Sequence, residues 1–344
     1  MVRDVLNRLL AGQSLDVGEA REIMRQIMDE EMTPIQLAGI LTALRAKGET
    51  PDEVVGFATT MRERAREIDV PGAVADTCGT GGDGRGTFNI STAAALVLAA
   101  AGQPVAKHGN RAASGKCGSA DVLEAVGVDV ALPPEGVARC IAEAGIGFLF
   151  APAFHPATKY AGQPRRELGV RTVFNLLGPL TNPARPRYQL VGVSSADLLD
   201  LIAESLLKLG VEAALVVHSE DGLDEISVSG PTSVREVCDG AVQAYEVTPA
   251  DFGLPASDPS SIVGGDPDIN ASMLRAVLDG AAGGPRDATL MNAAAALYIS
   301  GRASDLREGV TVASRAIDSG AARAVLERLR VVSQGARMDA NSAA

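Results

Sequence analysis

A glycine-rich loop between a short strand and a buried helix is the feature that most constrains how this chain folds. The run Ala73 to Ala75 predicts a strand, and a loop of four closely spaced glycines follows it. The apolar run Ala93 to Ala101 then predicts a buried helix ending at Gly102, and Pro104 to Ala106 predict a second strand. A strand, a turn, a helix and another strand in this order are typical of a parallel α/β sheet.

Positive charge follows the second predicted strand, in the run from Lys107 to Arg111. The backbone N–H groups of a glycine loop can converge on one anion, and a helix N-terminus adds about half a positive charge. Lys107 and Arg111 would bring full charges to the same place. The sequence therefore predicts a phosphate-binding site with room for more than one phosphate.

Two better-known glycine motifs do not fit this loop. Gly79, Gly81 and Gly84 satisfy G-x-G-x-x-G, but the dinucleotide fingerprint also needs an acidic residue about 20 positions later. No Asp or Glu occurs between Asp83 and Asp121. A Walker A loop is excluded because Arg85 and a further glycine follow Gly84, instead of Lys and Ser or Thr. A plain glycine-rich turn is the remaining alternative, and the basic run after the second strand argues against it.

Composition limits the class of ligand. At 344 residues the chain is long enough to bury a large core. The net charge of −12 argues against binding a polyanion over a broad surface. Aromatic residues make up only 3% of the chain and Trp is absent, so stacking platforms for single-stranded nucleic acid are scarce. The expected ligand is a small anion, and nucleic acid is not an expected partner.

The cysteines and the apolar runs bear on the compartment. The four cysteines show no C-x-x-C spacing, which argues against a zinc site or a disulfide framework and favours a reducing cytoplasm. The N-terminal run MVRDVLNRLLAGQSLD lacks the features of a signal peptide. No apolar run approaches 18 residues, so no membrane span and no membrane partner are expected. The expected location is the cytoplasm.

Start signals of helices divide the chain into two parts. Asp16 with Glu19, Thr33 with Pro34, and Thr50 with Pro51 each predict a capped helix. Residues 1–68 are therefore predicted to form a small all-helical domain, joined by part of 157–180. Residues 73–332 are predicted to form an α/β domain with a mostly parallel central sheet flanked by helices, and residues 333–344 a flexible tail.

Short β-branched runs alternate with Ala-rich segments after the glycine loop. They predict strands at 147–151, 188–193 and 213–217, and a hairpin of 233–237 with 241–247 around Asp239-Gly240. Helices are predicted at 122–126, 133–144, 157–180, 196–207, 270–278, 287–299 and 306–316, with a further short helix after Gly320.

Six motifs occur in one order between residues 79 and 225, within a resemblance to a known family that runs from about residue 3 to residue 331. They are Gly79-Thr80-Gly81-Gly82-Asp83, Asn89-Ile90-Ser91-Thr92, Lys107-His108-Gly109-Asn110-Arg111, His155-Pro156-Ala157, Phe174-Asn175-Leu176-Leu177-Gly178-Pro179-Leu180-Thr181-Asn182-Pro183, and Asp224-Glu225. With these motifs the chain resembles the anthranilate phosphoribosyltransferase family of the nucleoside-phosphorylase-like (class IV) phosphoribosyltransferases. The resemblance implies a nucleoside phosphorylase/phosphoribosyltransferase-like fold and a homodimer formed through the helical domain.

The resemblance also implies a reaction. The amino nitrogen of anthranilate joins C1 of 5-phosphoribosyl 1-pyrophosphate (PRPP), and pyrophosphate leaves; this is the second step of tryptophan biosynthesis from chorismate. Breaking the C1–O bond builds negative charge on the diphosphate, which fixed donors and Mg²⁺ can neutralise. Positioning can supply much of the rate, so a strong base is not obligatory for the aniline nucleophile.

Family roles fall on matching positions of this chain. The resemblance implies catalytic roles for Lys107, His108 and Arg165. Anthranilate would be bound by Gly79, Asn110, His155 and Arg165, and Mg²⁺, two ions per subunit, by Ser91, Asp224 and Glu225. PRPP would be bound by the glycine loop, the start of the next helix and the basic run: Gly79, Gly82, Asp83, Thr87, Asn89, Ile90, Ser91, Thr92, Lys107, His108, Gly109, Asn110, Arg111, Ala112, Ala113, Ser114, Gly115 and Ser119.

Local patterns leave simpler interpretations of several of these residues. Asp224-Glu225 alone would suit a solvated turn, and neighbours on a regular strand point to opposite faces, so a shared site needs a loop or two ions. His155 suits a packed loop, and Arg165-Arg166 a surface helix. The chain also departs from the family, which often has a second Ser at Gly115; Cys117 and Thr158 stand at variable positions.

Three other functions remain as alternatives. A pyrimidine nucleoside phosphorylase is the nearest, because the run SGKCGSADVLE faintly echoes its signature. A non-catalytic nucleic-acid-binding relative is opposed by the net charge and by the intact acidic pair. An NAD-dependent dehydrogenase is opposed by the missing acidic residue after the glycine loop.

Overall fold

The computed structural model describes residues 2–112 and 115–343. Four helices come first: α1 (Val2–Leu10), α2 (Val17–Met28), α3 (Pro34–Lys47) and α4 (Pro51–Arg64). The capped helix starts predicted at Asp16, Thr33 and Thr50 are all present, and in each the cap side chain accepts from the backbone N–H three residues later within a capping box. These three helix starts are thus confirmed.

A seven-stranded sheet follows: β1 (Ala75–Gly79), β2 (Val105–Gly109), β3 (Ile146–Phe150), β4 (Tyr188–Gly192), β5 (Ala213–Ser219), β6 (Thr232–Cys238) and β7 (Ala241–Val247). The strand order is β3-β2-β1-β4-β5-β6-β7, parallel through β5 and antiparallel from there on. Asp239 and Gly240 both have positive φ in the β6–β7 turn, as a two-residue hairpin requires. The mostly parallel sheet and the hairpin are confirmed.

Within residues 2–112 and 115–343, eleven further helices lie around the sheet. They are α5 (Ile90–Ala100), α6 (Ser119–Ala125), α7 (Pro134–Ala144), α8 (Ala151–Phe154), α9 (Gly162–Leu168), α10 (Phe174–Leu177), α11 (Leu198–Lys208), α12 (Pro267–Leu278), α13 (Gly284–Ile299), α14 (Leu306–Asp318) and α15 (Ala321–Ala343). Short 3₁₀ turns lie between them at Pro156–Ala161, Gly178–Leu180, Pro249–Phe252 and Pro259–Ile262. No helix of the described ranges is long and apolar enough to cross a membrane.

Strand and helix ends near the glycine loop differ from the prediction. β1 runs to Gly79 instead of ending at residue 75, because its pairing with β4 continues to the Gly79–Gly192 pair. β2 runs to Gly109, so Lys107 and His108 lie within the strand and not in a loop after it. α5 begins at Ile90, three residues earlier than predicted. In both strands, hydrogen bonds to the neighbouring strand extend regular backbone past the local sequence signal.

Two buried clusters pack on opposite faces of the sheet. One lies against α5 and the C-terminal helices and contains Leu96, Phe148 and Leu297. The other joins α1–α4 to α11 and to residues 161–180, with Phe57 and Leu177 among its members. The segment 157–180 therefore shares a core with the helical region. It forms short helices instead of one predicted helix, because Gly169 takes a left-handed φ after α9.

The C-terminal prediction of a flexible tail from residue 333 is wrong for its first residues. α15 continues through this region to Ala343 and is 23 residues long. Ser333 is buried and its Oγ accepts from the backbone N–H of Asp129 at 3.0 Å, while Ala336 packs in the core. Their small side chains let α15 pack closely on the rest of the fold, so a composition that suggested fraying instead supports tertiary contact.

Candidate active site

The glycine loop lies at the carboxyl edge of the sheet, where the chain turns in opposite directions. From β1 the chain goes by α5 to β2 on one side, and from β4 by α11 to β5 on the other. Thr80 ties the two strand ends together, since its N–H donates to Gly192 O at 2.9 Å and its Oγ1 accepts from Ser194 N at 3.1 Å. Open α/β sheets bind ligands in the crevice at such a switch point.

The acidic pair Asp224 and Glu225 reaches this crevice from a loop after β5. Gly81 N donates to Asp224 Oδ2 at 3.0 Å, and Ser91 N, in the first turn of α5, donates to Glu225 Oε1 at 3.2 Å. Gly192 makes room for the loop, because a Cβ there would lie 1.5 Å from the Asp224 carbonyl oxygen. Neighbouring carboxylates thus share one site because they stand in a loop, as the sequence analysis required.

Electrostatics at the pair favour a cation. Burial raises the pKa of Asp224, and repulsion from Asp83 adds to this shift. Burial also raises the pKa of Glu225, with repulsion from Asp224 next in importance, while Lys107 opposes the shift. Among the described residues, no group of three or more His, Cys, Asp or Glu side chains is placed to hold a metal ion alone. A pair of carboxylates suits Mg²⁺, which proteins usually bind through one or two carboxylates together with substrate phosphates.

Lys107 points to the same face of the sheet as α5. It is only 2% exposed, and its ammonium donates to Thr77 O and, at 3.3 Å, to Ser91 Oγ. Thr77 Oγ1 in turn donates to Ser91 O at 2.8 Å. Lys107 therefore brings its charge beneath the first turn of α5, beside Ser91 and Glu225.

His108, the next residue, points to the opposite face because side chains alternate along a strand. Its Nδ1 lies 3.0 Å from Gly178 O, a carbonyl that can only accept, so Nδ1 carries the hydrogen. The ring stands 5.4 Å from that of His155 at 63°. Burial, followed by the nearby His155, lowers the pKa of His108 to about 3, and burial lowers the pKa of His155 to about 4. Both imidazoles are neutral at pH 7.

These histidines predict a pH-dependent stability. Their folded pKa values lie below the unfolded value of 6.5, so protonation favours the unfolded chain. The neutral histidines therefore do not lower the free energy of unfolding above pH 6.5, and this free energy falls as the pH drops from 6.5 towards 4. For His155 the loss between pH 7 and pH 5 is about 2 kcal/mol. The free energy of unfolding in urea should be measured at pH 7 and pH 5. Its drop between the two pH values should be smaller by that amount in His155→Gln than in the unchanged protein. An equal drop in both proteins would contradict the assignment.

Arg165 lies on α9, on the segment that also carries His155. Its guanidinium carbon stands 5.0 Å from the centre of the Phe174 ring. The side chain is half-buried, which lowers the pKa of the guanidinium, and it makes no hydrogen bond or ion pair with another residue of the described ranges. A partly desolvated guanidinium on an aromatic face is suited to bind a carboxylate through its planar fork.

Asn89, Ser119 and Asn110 connect the two loops at the crevice. Asn89 Oδ1 accepts from Asn270 Nδ2 at 2.9 Å, and Asn89 Nδ2 donates to Cys117 O at 3.3 Å. Ser119 Oγ donates to Asn110 O at 3.3 Å. These contacts bring the start of α5 and the segment after β2 together, as the predicted site requires.

Arg111 departs from the expectation of a free positive charge beside Lys107. It pairs with Asp121 at 3.2 Å and with Glu124, where its Nη2 lies 2.7 Å from Oε1, and it stands over the Phe150 ring at 5.6 Å. The guanidinium is therefore held against α6, because two carboxylates of that helix face it. Ala112 N donates to Asp121 Oδ2 at 3.0 Å in the same group.

The other predicted residues are distributed around the crevice. Thr87 forms an isolated bridge with Val263, Ile90 and Thr92 are buried in the first turn of α5, and Asp83 Oδ1 accepts from Arg85 N at 3.1 Å. Gly115 is exposed. Ala113 and Ser114, predicted to bind PRPP, lie outside the described residues.

Two further residues, Arg171 and Asn182, shape the site and were not predicted from the sequence. Arg171 Nη1 donates to Gly81 O at 2.9 Å and to Gly82 O at 3.4 Å. Asn182 is buried and donates to Asp76 Oδ2 at 2.8 Å and to Ala106 O at 2.7 Å. Burial of an amide or guanidinium far along the chain has no local signal, although Asn182 stands in one of the six motifs.

A glycine loop, a helix N-terminus and a buried carboxylate pair meet at one switch point of the sheet, an arrangement suited to an anion bound together with a metal cation. The comparisons with known proteins give the class of enzyme. Residues 71–323 match a family model described as glycosyl transferase family, a/b domain, and residues 3–65 match glycosyl transferase family, helical bundle domain.

Relatives and solved structures narrow this class. An anthranilate phosphoribosyltransferase of Rubrobacter xylanophilus is 52% identical, over 97% of this chain and 98% of its own length, and one of Anaeromyxobacter sp. (strain K) is 55% identical, over 96% and 98%. The crystal structure of the Thermus thermophilus enzyme aligns with a TM-score of 0.91 at 46% identity, covering 96% of this chain and 99% of its own. That of Saccharomyces cerevisiae in complex with PRPP and Mg aligns with a TM-score of 0.89 at 27% identity, covering 97% and 98%. The chain belongs to the anthranilate phosphoribosyltransferase family.

Proposed function

We propose that this protein transfers the phosphoribosyl group of PRPP to the amino nitrogen of anthranilate, which releases pyrophosphate and forms N-(5-phosphoribosyl)anthranilate. The observation that carries this proposal is the gathering of the glycine loop, the first turn of α5 and Asp224-Glu225 at one switch point of the sheet. Family membership supports the same reaction over a pyrimidine nucleoside phosphorylase or a nucleic-acid-binding relative. The product is that of the second step of tryptophan biosynthesis from chorismate.

Asp224, Glu225 and Ser91 would hold Mg²⁺, two ions per subunit, together with oxygens of the PRPP diphosphate. The buried, mutually repelling carboxylates support this assignment, and the S. cerevisiae relative was solved with PRPP and Mg. When bound, the metal neutralises the negative charge that develops on the departing diphosphate. Glu225 accepts from Ser91 N and so keeps the carboxylate at the first turn of α5, where the substrate phosphates would arrive.

The leaving group would be bound by groups that are already in place. The N–H groups of the glycine loop and the first turn of α5 point partial positive charge at one anion. Lys107 adds a full charge that the buried strand β2 holds beside Ser91. Fixed donors of this kind stabilise the transition state because they need no reorganisation when charge develops.

The acceptor would lie on the other face of β2. Arg165 would bind the carboxylate of anthranilate through its planar fork. His108 donates from Nδ1 to Gly178 O, so its buried Nε2, which has no partner among the described residues, is free to accept from the amine. A neutral imidazole suits this role, because the amine needs orientation more than deprotonation. Gly79, Asn110 and His155 would line the same pocket.

A fluorescence assay tests the proposed reaction. Anthranilate fluorescence should fall only when the protein, PRPP and Mg²⁺ are all present, and pyrophosphate should appear in equal amount. Omitting each component in turn provides the controls. Phosphorolysis of thymidine without any turnover of anthranilate would replace this proposal with the pyrimidine nucleoside phosphorylase alternative.

A homodimer through the helical region is also proposed. Leu10 on α1 is 69% exposed and Ile35 on α3 is 84% exposed, and these two helices pack together. Covering this apolar surface with a second copy would remove it from water. We expect Ile35→Glu to shift sedimentation from dimer to monomer, whereas Val331→Glu, on the 59% exposed Val331 of α15, leaves the dimer unchanged. A dimer that persists in Ile35→Glu would contradict this interface.

The proposed location is the cytoplasm. Cys78, Cys117, Cys140 and Cys238 are all free thiols, which suits a reducing compartment. Recovery of the protein with the membrane fraction after cell lysis and high-salt washing would contradict this proposal.

A further inference from the structure

We propose that Arg171 is a positioning residue that orients the glycine loop for the diphosphate. This inference rests on the proposed function for the identity of the anion, and on the loop geometry for the role of the arginine. Arg171 lies between α9 and α10, in the segment that carries Arg165. It is not among the site residues predicted from the sequence.

The guanidinium holds two successive peptide units of the loop. One nitrogen, Nη1, donates to Gly81 O at 2.9 Å and to Gly82 O at 3.4 Å. Both carbonyls therefore face the arginine. In a trans peptide the carbonyl oxygen and the following N–H point in opposite directions. The N–H groups of Gly82 and Asp83 are consequently turned away from Arg171.

A second contact locates the carboxylate pair on the side of Gly81 opposite to Arg171. The N–H of Gly81, one peptide unit earlier, donates to Asp224 Oδ2 at 3.0 Å. The loop thus has a rear face at Arg171 and a front face at the carboxylate pair. Donors on the front face meet a diphosphate that arrives with Mg²⁺ at Asp224 and Glu225.

Glycine conformation explains why the loop needs an external anchor. Gly81 and Gly82 have φ of 63° and 79°, in the left-handed region where glycine is tolerated and other residues are strained. Glycine is also free to leave that region, so the loop alone does not keep its N–H groups pointing forwards. At Gly82 a Cβ would lie 2.1 Å from Arg171 Nη1, so the missing side chain is what allows the guanidinium to approach.

The surroundings of Arg171 include a cavity and a buried, unpaired nitrogen. A cavity of about 220 Å³ adjoins it, lined by residues that include Arg45, Glu49 and Ser194. Arg171 Nη2 is buried and has no partner among the described residues. The two bonds to loop carbonyls are thus the side-chain hydrogen bonds of Arg171 within the described residues, and we infer that they serve to orient the loop.

Binding of magnesium pyrophosphate to the free protein, measured by calorimetry, tests the role without needing the acceptor. Arg171→Met keeps the aliphatic stem and removes the donors, and we expect about tenfold weaker binding, equivalent to about 1.4 kcal/mol. Arg171→Lys, whose ammonium can donate to the same carbonyls, should recover part of this loss. Arg166→Ala, on the exposed Arg166 of α9, serves as the matched control and should bind as the unchanged protein does.

Steady-state kinetics add a measurement that a merely structural role would not separate. In Arg171→Met the KM for PRPP should rise by a similar factor, while the KM for anthranilate stays within about twofold. Unchanged pyrophosphate binding, or an equal rise of both KM values, would overturn the inference. If melting shows that Arg171→Met does not fold, Arg171→Lys carries the test, and binding equal to that of the unchanged protein would overturn it. Absent turnover of anthranilate by the unchanged protein would instead reject the proposed function and leave the pyrophosphate result standing.

Discussion

The double substitution Asp224→Asn with Glu225→Gln should lower Mg²⁺-dependent turnover by about 10³-fold or more, the largest effect expected from any change in this protein. Both side chains keep their shape and lose their charge. The metal then lacks its protein carboxylates, and the charge developing on the diphosphate is no longer balanced.

Stability separates this expectation from simple misfolding. Burial raises the pKa values of both carboxyl groups, and repulsion adds to the shift, from Asp83 at Asp224 and from Asp224 and Asp83 at Glu225. Neutral amides remove that repulsion, so the melting temperature measured with EDTA should not fall. Adding Mg²⁺ should raise the melting temperature of the unchanged protein and leave that of the variant where it was.

An exposed acid near the same loop provides the control. Glu220→Gln removes a charge from the start of the turn after β5, where the residue is exposed. Its turnover and its metal titration should match those of the unchanged protein. A double variant with an unaltered magnesium titration would show that the ions bind elsewhere.

Arg165→Ala should lower kcat/KM for anthranilate by about 10²-fold, the cost of leaving a substrate carboxylate without its charged partner. The guanidinium lies on the Phe174 ring and makes no ion pair within the described part of the chain, so it is free to bind an incoming carboxylate. Binding of PRPP should change by less than about threefold, because the proposed diphosphate site is beside Lys107, whose side chain points to the other face of β2.

A second substitution at Arg165 tests whether its planar guanidinium contacts the anthranilate carboxylate. Arg165→Lys retains the charge and loses the planar fork, so it should fall between alanine and arginine. Arg166→Ala should have no effect on either substrate. Equal losses for anthranilate and PRPP in Arg165→Ala would show that the acceptor site has been placed wrongly.

Part of the fold could be predicted from short stretches of sequence. The capped helix starts at Asp16, Thr33 and Thr50 were confirmed because a cap and the N–H that it binds stand only three residues apart, within the range of a local sequence pattern. The Asp239-Gly240 hairpin was confirmed for the same reason. The C-terminal tail was predicted wrongly, because Ser333 bonds to a residue 204 positions away.

Part of the site could be predicted as well. The glycine loop and the acidic pair were recognised from their residues and from the resemblance to a family. The orientation of the basic run was not predicted. Strand β2 includes Lys107 and His108, so their side chains point to opposite faces of the sheet. Arg111, expected to be free for phosphate, is paired with two carboxylates of α6.

By itself the sequence determined the types of local element, the kind of anion expected and the residues able to bind it, because turns, caps and side-chain chemistry act over a few positions. Tertiary structure alone decided how these groups meet. Ser91 and Glu225 are 134 positions apart, and Arg171 and Gly81 are 90 apart, yet each pair is joined by a hydrogen bond. Such pairings follow from strand order and close packing, which bring distant residues together and are not encoded in either local stretch.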